Sequence, residues 1–215
     1  MRKYVSNKDE PVRLFDNDLL EALSRVHPVT PLVLYLPVGM LLIWLSTTRF
    51  DTSAATFVIY AVGGAAIWTL TEYVLHRHLF HLDSENPRLK RLIYVIHGIH
   101  HDYPNDSRRL VMPPSISLPV GVAVFLLFWL IAGMAPALPL LFGFGFGYLC
   151  YDMGHYATHH LPMRKGFLKV LRDNHLRHHY ETSERAYGVS SPLWDWVFGT
   201  LLPGKGQRSR TSPSD

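Results

Sequence analysis

The feature that most constrains this chain is a set of four long apolar blocks separated by strongly polar stretches. The blocks lie at about 31–46, 54–75, 115–133 and 135–151. A helix needs roughly 20 residues to cross the hydrocarbon of a bilayer, with about 17 tolerated, so the second and third blocks are long enough and the other two are marginal. A buried helix of a water-soluble protein normally keeps a polar stripe, but GVAVFLLFWLIAG at 121–133 has none. The sequence therefore predicts four membrane-spanning helices.

Lysine and arginine are distributed unevenly around these blocks. Five precede the first block, six lie between the second and third, and nine follow the fourth, whereas the loop after the first block has only Arg49. The connection between the last two blocks is short and uncharged, which predicts a helical hairpin. By the positive-inside rule, both termini and the central polar loop are expected in the cytoplasm. The membrane would be a bacterial inner membrane, or the endoplasmic reticulum in a eukaryote.

Composition excludes several other classes of protein. The 215 residues suffice for one compact domain, and a net charge of +4 without interleaved aromatics predicts no nucleic-acid partner. Cys150 is the single cysteine, which excludes an intrachain disulfide and a thiolate metal site. Residues 1–28 lack the apolar core of a secretory signal and are interpreted as an N-terminal cytoplasmic segment. The functional domain is expected at 29–203, followed by a disordered tail at 204–215.

Twelve of the 13 histidines lie in four clusters, all at or beyond the predicted cytoplasmic ends of the second and fourth blocks. The clusters are HRHLFH (76–81), HGIHH (97–101), HYATHH (155–160) and HLRHH (175–179). Residues three and four apart share a helix face. We therefore expect convergence of His97, His100 and His101, of His155 and His159, and of His175, His178 and His179. Imidazole is a common ligand for iron, copper and zinc, so the clusters predict a metal centre, whereas the isolated His27 is interpreted as an ordinary residue.

The first cluster fits a regular helix less well. His76 and His81 are five residues apart and would point about 140° from each other, while His78 and His81 would share a face more easily. If His76 and His81 are both ligands, the chain must leave regular helix between them, or each must serve a different ion. The spacing leaves these alternatives open.

The number of rings favours two metal ions. About ten imidazoles exceed the positions around one ion, and suit two ions with four or five rings each and open positions for chemistry. Zinc could occupy such a site, but it has no redox chemistry. A membrane-embedded, all-nitrogen pair with open positions favours iron that activates dioxygen.

Read with their surroundings, the clusters resemble those of the fatty acid hydroxylase and sterol desaturase superfamily. The segments at 71–81, 97–114, 147–160 and 175–200 are similar to motifs of the fatty acid 2-hydroxylases, and the resemblance covers roughly 11–203. It implies an all-α integral membrane protein, with four transmembrane helices in two hairpins and a cytoplasmic helical cap that holds a histidine-rich dinuclear centre. It also implies ten metal ligands: His76, His81, His97, His100, His101, His155, His159, His175, His178 and His179. His78 falls between two motif positions and His160 beside one, so neither is assigned.

The same resemblance implies the reaction. One oxygen atom from O2 would be inserted at C2 of a fatty acyl chain, in a ceramide or other sphingolipid or in a free fatty acid. Two iron ions would be the cofactor, although zinc can occupy the site in a purified sample. Eukaryotic members carry an N-terminal haem-binding cytochrome domain, for which this chain has no room. Electrons are therefore expected from a separate cytochrome or ferredoxin with its reductase.

Acidic residues near the clusters are candidates for orienting the ligand rings. Asp152 lies three residues before His155, and Glu72 lies four residues before His76, where an ionisable side chain in a span is costly unless paired. Further candidates are Asp102, Asp106, Asp173 and Asp195. In GFGFG (143–147), two glycines four residues apart permit close approach of helices.

Two other functions remain open at this point. A sterol oxidase or carotenoid hydroxylase of the same superfamily would use the same histidine scaffold. A non-enzymatic metal transporter or sensor is disfavoured, because the histidines gather at helix ends on one side rather than along a path through the membrane.

Overall fold

In a computed structural model of the protein, residues 4–203 are described, and the regular elements within that range are all helical. The α-helices of this range are α1 Asp18–Ser24, α2 Thr30–Arg49, α3 Ala54–Leu75, α4 Pro87–Ile93, α5 Ile99–Asp102, α6 Pro114–Ala132, α7 Met134–His160, α8 Gly166–Tyr180 and α9 Leu193–Val197. Two π-helical turns, His76–Phe80 and Tyr94–Gly98, continue α3 and α4. The predicted tail at 204–215 lies outside the described residues.

Four helices of the described range are long and apolar enough to cross a bilayer: Thr30–Arg49, Ala54–Phe80, Pro114–Ala132 and Met134–His160. The predicted all-α membrane fold is confirmed. The first and fourth spans, marginal in the sequence, are parts of helices of 20 and 27 residues. They were underestimated because helical backbone hydrogen bonds continue through polar residues, whereas an apolar block marks only the part that lipid can cover.

The spans form two helical hairpins. Only residues 50–53 separate α2 from α3, and the Ser53 hydroxyl caps α3 by accepting from the Thr56 N–H at 3.2 Å. Gly133 alone separates α6 from α7, and its φ of 84° lies in the left-handed region that favours glycine. Each hairpin sends its second helix back toward the end where it began, so α3 and α7 terminate at the same end of the bundle.

The second helices of the two hairpins, α3 and α7, pack closely together. A Cβ on Gly143 would lie 1.8 Å from the carbonyl oxygen of Ala61, and one on Gly64 would lie 2.1 Å from that of Leu140. Only glycine allows the backbones to come this close, as predicted for the GFGFG segment. Trp68 packs edge-on against Phe144 next to these contacts, with 5.2 Å between ring centroids. The interface fixes the relative height of the two helix ends.

The N-terminal segment crosses the loop that follows α5. The Val5 N–H donates to the carbonyl oxygen of Asp102 at 2.8 Å, and the buried side chain of Arg109 pairs with Glu21 at 2.7 Å. Burial tends to raise the pKa of Glu21, but N–H donors from Leu14 and Phe15 and the Arg109 charge outweigh it and hold the pKa below its ordinary 4.5. Glu21 is therefore a buried carboxylate that anchors a loop.

Candidate metal centre

Ten histidine rings gather at the end of the bundle where α3 and α7 terminate. Within residues 4–203 they form two groups of five, and in each group one ring nitrogen per residue lies within 4.8 Å of all the others. The first histidine group is His76, His81, His97, His101 and His178, and the second histidine group is His100, His155, His159, His175 and His179. Every predicted ligand is in one of the groups. His78 is exposed, and His160 stacks on Tyr156 outside both groups.

His76 and His81 come together because the chain leaves regular α-helix between them. His76–Phe80 is a π-helical turn, in which hydrogen bonds join residues five apart and thereby align them. The Nε2 atoms of His81 and His76 are 3.2 Å apart. Of the alternatives that the spacing left open, the structure takes the departure from regular helix, with both rings in the same group.

The predicted convergence of three histidines on one face is wrong for the second and fourth clusters. His97 and His101 belong to the first group, whereas His100 belongs to the second. Likewise, His175 and His179 belong to the second group and His178 to the first. Successive side chains on a helix point about 100° apart. His100 therefore diverges from the adjacent His101, and His178 from the adjacent His179, by enough to reach the neighbouring group. Each of these segments therefore contributes to both groups.

All ten rings direct Nε2 inward. Neighbouring Nε2 atoms are 2.9–3.2 Å apart in the first group and 2.8–3.1 Å apart in the second. Two nitrogens bound to one ion at about 2.0–2.1 Å and at a right angle are about 2.9 Å apart. The spacing in both groups therefore fits five ligands around one ion.

Backbone carbonyls hold two rings of the first group. Nδ1 of His76 donates to the carbonyl oxygen of Tyr187 at 2.5 Å, and Nδ1 of His178 donates to that of Arg185 at 2.7 Å. Because the hydrogen is on Nδ1, Nε2 carries the lone pair. Nε2 of His76 nevertheless lies 3.1 Å from Nε2 of His97, and Nε2 of His178 lies 3.0 Å from that of His81. The Nε2 lone pairs of His76 and His178 thus face the other Nε2 atoms of the first group, so the donor set fits a metal ion.

Burial keeps the rings in their neutral form. It lowers the pKa of His81 from 6.5 to about 4. Burial, and then the neighbouring imidazoles, hold the pKa values well below 6.5 for His97, His100, His101, His175 and His179. Since neutral imidazole is the form that binds metals, the site is ready to bind them at pH 7.

Comparisons with known proteins agree with this geometry. The family model described as fatty acid hydroxylase matches residues 61–200. The chain belongs to this family. It is 38% identical to a dihydroceramide fatty acyl 2-hydroxylase of Arabidopsis thaliana, over 91% of this chain and 81% of that enzyme. It is 36% identical to the fatty acid 2-hydroxylase of Rattus norvegicus, over 90% of this chain but 57% of the relative.

A solved structure has the same fold as this fatty acid hydroxylase. Full-length scs7p, with only its hydroxylase domain visible, matches with a TM-score of 0.82 and 34% identity, covering 88% of this chain and 72% of that one. Family membership identifies the chain as an oxidoreductase that hydroxylates fatty acids, which removes the metal transporter as an alternative.

The two predicted ring-orienting carboxylates of the hydroxylase both contact backbone. Glu72 is buried and accepts from the N–H of Val189 at 2.6 Å, within the segment whose carbonyls hold His76 and His178. Asp152 is also buried, but its carboxylate faces the N–H of Met112 at 3.4 Å. Glu72 therefore binds the backbone of the segment that contacts the first group, and Asp152 binds the backbone just before the third span.

Some residues of the site were not found from the sequence. The carbonyl oxygens of Arg185 and Tyr187 carry no signature in a sequence, because every residue has a carbonyl. Asp195 was one of several acidic candidates, and the structure places its carboxylate 2.8 Å from the N–H of Gly188, in the same loop. The signal in the sequence that could have indicated this loop was Gly188, in the segment that follows the last histidine cluster.

A half-open cavity of about 420 Å³ leads to the centre. The cavity is lined by three rings of the first group, those of His81, His97 and His101, and by His179 of the second group. Phe80, Gly98 and Ser183 complete the lining. Phe80 stacks on His97, with 5.2 Å between ring centroids. The cavity therefore opens onto three rings of the first group.

Proposed function

We propose that this chain is a dinuclear iron enzyme that inserts one oxygen atom from O2 at C2 of a fatty acyl chain, in a ceramide, a related sphingolipid or a free fatty acid. The observation that carries the proposal is the pair of adjacent five-histidine groups beside a cavity. The similarity to relatives named as fatty acyl 2-hydroxylases supports C2 as the position and a lipid as the substrate.

Each histidine group is proposed to hold one ion. The groups adjoin where the rings of His101 and His179 stack, with 4.1 Å between centroids. Five ligands exceed the four of a structural zinc site and leave a sixth position free. In the first group, three ligand rings line the cavity, which supports substrate access from that side.

The bound iron pair supplies the activation of dioxygen, in a reaction that consumes two electrons and two protons and releases the second oxygen atom as water. Zinc would fit the same nitrogens but supplies no redox chemistry. The protein's part is to keep ten imidazoles neutral, direct their Nε2 atoms inward and shape the cavity.

The cavity favours reaction near the head of an acyl chain. Its volume of about 420 Å³ accommodates a polar head and a few methylene groups rather than a long chain. The remaining chain would lie against the apolar spans, which end at the histidine groups. Phe80 and the imidazole edges at the cavity would then bring C2, rather than the tail, to the ions.

The membrane orientation and the electron source remain predictions from the sequence. We propose that the histidine groups and both termini face the cytoplasm, supported by the arginine and lysine residues that flank this end of the spans. We also propose that electrons come from a separate cytochrome or ferredoxin with its reductase.

The test is mass spectrometry of lipids from cells that express the chain, compared with cells that express single variants. We expect 2-hydroxy acyl lipids with the wild type, and loss of them with His100→Ala, from the second group, or His178→Ala, from the first. His27→Ala is the matched control, because His27 is exposed and lies outside both groups. Altered sterols or carotenoids without 2-hydroxy acyl lipids would overturn the assignment in favour of another superfamily activity.

A further inference from the structure

The loop at 185–190, called the carbonyl loop here, holds two rings of the first group at once. Its carbonyl oxygens at Arg185 and Tyr187 accept from His178 and His76, which lie on different helical segments. Ala186, between them, has a φ of 59°, in the left-handed region that is costly for a residue with a Cβ. The loop keeps this conformation only because the surrounding structure holds it.

One support comes from α3. Oε1 of Glu72 accepts from the N–H groups of Val189 and Ser190 at 2.6 and 2.9 Å, and the Ser190 hydroxyl donates to Oε2. Glu72 is 4% exposed, so these three donors are what offset the cost of burying its carboxylate. It also lies one helical turn before His76. One rigid helical segment thus carries both His76 and Glu72, the residue that binds the loop whose carbonyl accepts from the His76 ring.

A second support comes from α9. The carboxylate of Asp195 accepts from the N–H groups of Tyr187 and Gly188 at 2.9 and 2.8 Å, and from the Thr200 hydroxyl at 2.7 Å. A Cβ on Gly188 would lie 2.1 Å from the carbonyl oxygen of Ser191 and 3.0 Å from Oδ2 of Asp195, so the loop closes tightly around this carboxylate. Four consecutive N–H groups, from 187 to 190, are thereby bound by two buried carboxylates.

We propose that Glu72 and Asp195 are positioning residues that set the metal affinity of the first histidine group through the carbonyl loop. This inference rests on the proposed metal-binding role of the ten histidines. The carboxylates bind the N–H side of the loop, which turns its carbonyls toward the rings. The carbonyls keep the hydrogen on Nδ1 of His76 and His178, and Nε2 is left free to bind the ion.

The second histidine group provides an internal reference. In the described part of the chain, Nδ1 of His159, His175 and His179 makes no hydrogen bond to the protein. Loosening the carbonyl loop should therefore weaken the ion of the first group and leave the other unchanged. Loss of a group that orients a metal-binding histidine typically weakens metal binding about 10- to 100-fold.

The test is a Co²⁺ titration of the metal-free protein in detergent, followed by the visible absorption of bound Co²⁺. The wild type should show two sites. Glu72→Ala should weaken one of them about 10- to 100-fold, whereas Glu72→Gln should restore it. The Gln amide keeps an oxygen for both N–H groups and can donate to the Ser190 hydroxyl. Asp195→Asn should weaken the same site, because its NH2 group cannot accept from a backbone N–H.

Glu21→Ala is the matched control. Glu21 is also a buried carboxylate that accepts from two backbone N–H groups, those of Leu14 and Phe15, but it holds the N-terminal segment. Its loss should lower the thermal unfolding midpoint and leave both Co²⁺ affinities unchanged. Equal effects of Glu21→Ala and Glu72→Ala on Co²⁺ binding would overturn the proposal, because the carboxylates would then act only through general stability.

Double variants identify which ion is affected. The double variant Asp195→Asn/His175→Ala, which also loses a ligand of the second group, should have no site with wild-type affinity. The double variant Asp195→Asn/His81→Ala, in which both changes affect the first group, should keep the second-group site intact. Unchanged affinity at both sites in Asp195→Asn and Glu72→Ala would refute the inference. A wild type that binds two Co²⁺ ions but makes no 2-hydroxy lipid would refute the proposed function and leave this inference standing.

Discussion

The first and second histidine groups each bring five imidazoles together, but the protein assembles them by different means. In the second group, His155 and His159 on α7 and His175 and His179 on α8 are pairs four residues apart on regular helices. In the first group, His76 and His81 flank a π-helical turn, and the carbonyl loop holds two of the rings. A pair four apart on a regular helix positions itself, whereas a pair five apart needs a helical irregularity and a supporting loop.

The groups also differ in access. The cavity is lined by three rings of the first group and one of the second. The first group thus combines a helical irregularity with exposure to the cavity, where a substrate can enter. The second group is enclosed by helices. We infer that the second group is the rigid half of the centre and the first group the half that meets the substrate.

The largest effect should come from deleting one ligand of each group. His81→Ala and His159→Ala should each reduce the hydroxylation rate by at least about 100-fold, because the proposed reaction needs both ions and removing a ligand exceeds the effect of removing its orienting partner. The double variant should be little worse than either, since the two ions are proposed to act as a unit. His78→Ala, an exposed residue of the same cluster as His81, should keep wild-type activity. Activity that survives in one ligand variant would show that one ion suffices.

Metal removal should reveal the difference in access. A chelator should extract the first-group ion faster, and the slow phase should disappear in His159→Ala. Removing an ion present at 1,000 times its dissociation constant costs about 4 kcal/mol of stability, so the thermal midpoint should fall in both phases. Release in a single phase from the wild type would contradict the difference between the groups.

Acid should destabilise the metal-free protein. The pKa of His81 is lowered from 6.5 to about 4, so between these values the unfolded chain binds the proton more readily than the folded chain. Stability is therefore fully present above about pH 6.5 and is lost as the pH falls toward 4, by up to about 3 kcal/mol for this ring. Chemical unfolding of the metal-free protein at several pH values measures this loss, and His81→Ala should reduce it. The same slope in the variant would assign the effect to other rings.

The smallest effect should come from Ser190→Ala, which removes one of the three donors to Glu72. A typical intramolecular hydrogen bond contributes about 1 kcal/mol, so the first-group ion should bind roughly fivefold more weakly. The second-group ion should be unaffected, which a two-site Co²⁺ titration would show. Weakening of both ions would indicate that the carbonyl loop supports the whole centre.

Much of the fold followed from patterns local in the chain. The apolar block at 121–133, without a polar stripe, required a span, and GFGFG indicated the close approach of α7 to α3 that Gly143 makes against Ala61. The span ends could not be placed from the sequence. In α7 the helix continues through His155 and His159, whose rings contact His100 on α5 and His175 on α8.

The chain by itself determined that twelve histidines would lie at one end of four spans, because hydropathy and helical periodicity act over a few residues. Only the tertiary structure decided that ten of these rings form two groups of five, in which His100 and His178 belong to a different group from the other ligands of their sequence clusters. It also decided that backbone carbonyls orient His76 and His178. Both outcomes depend on contacts between segments as far apart in sequence as Glu72 and Val189, which bring together groups that no local pattern relates.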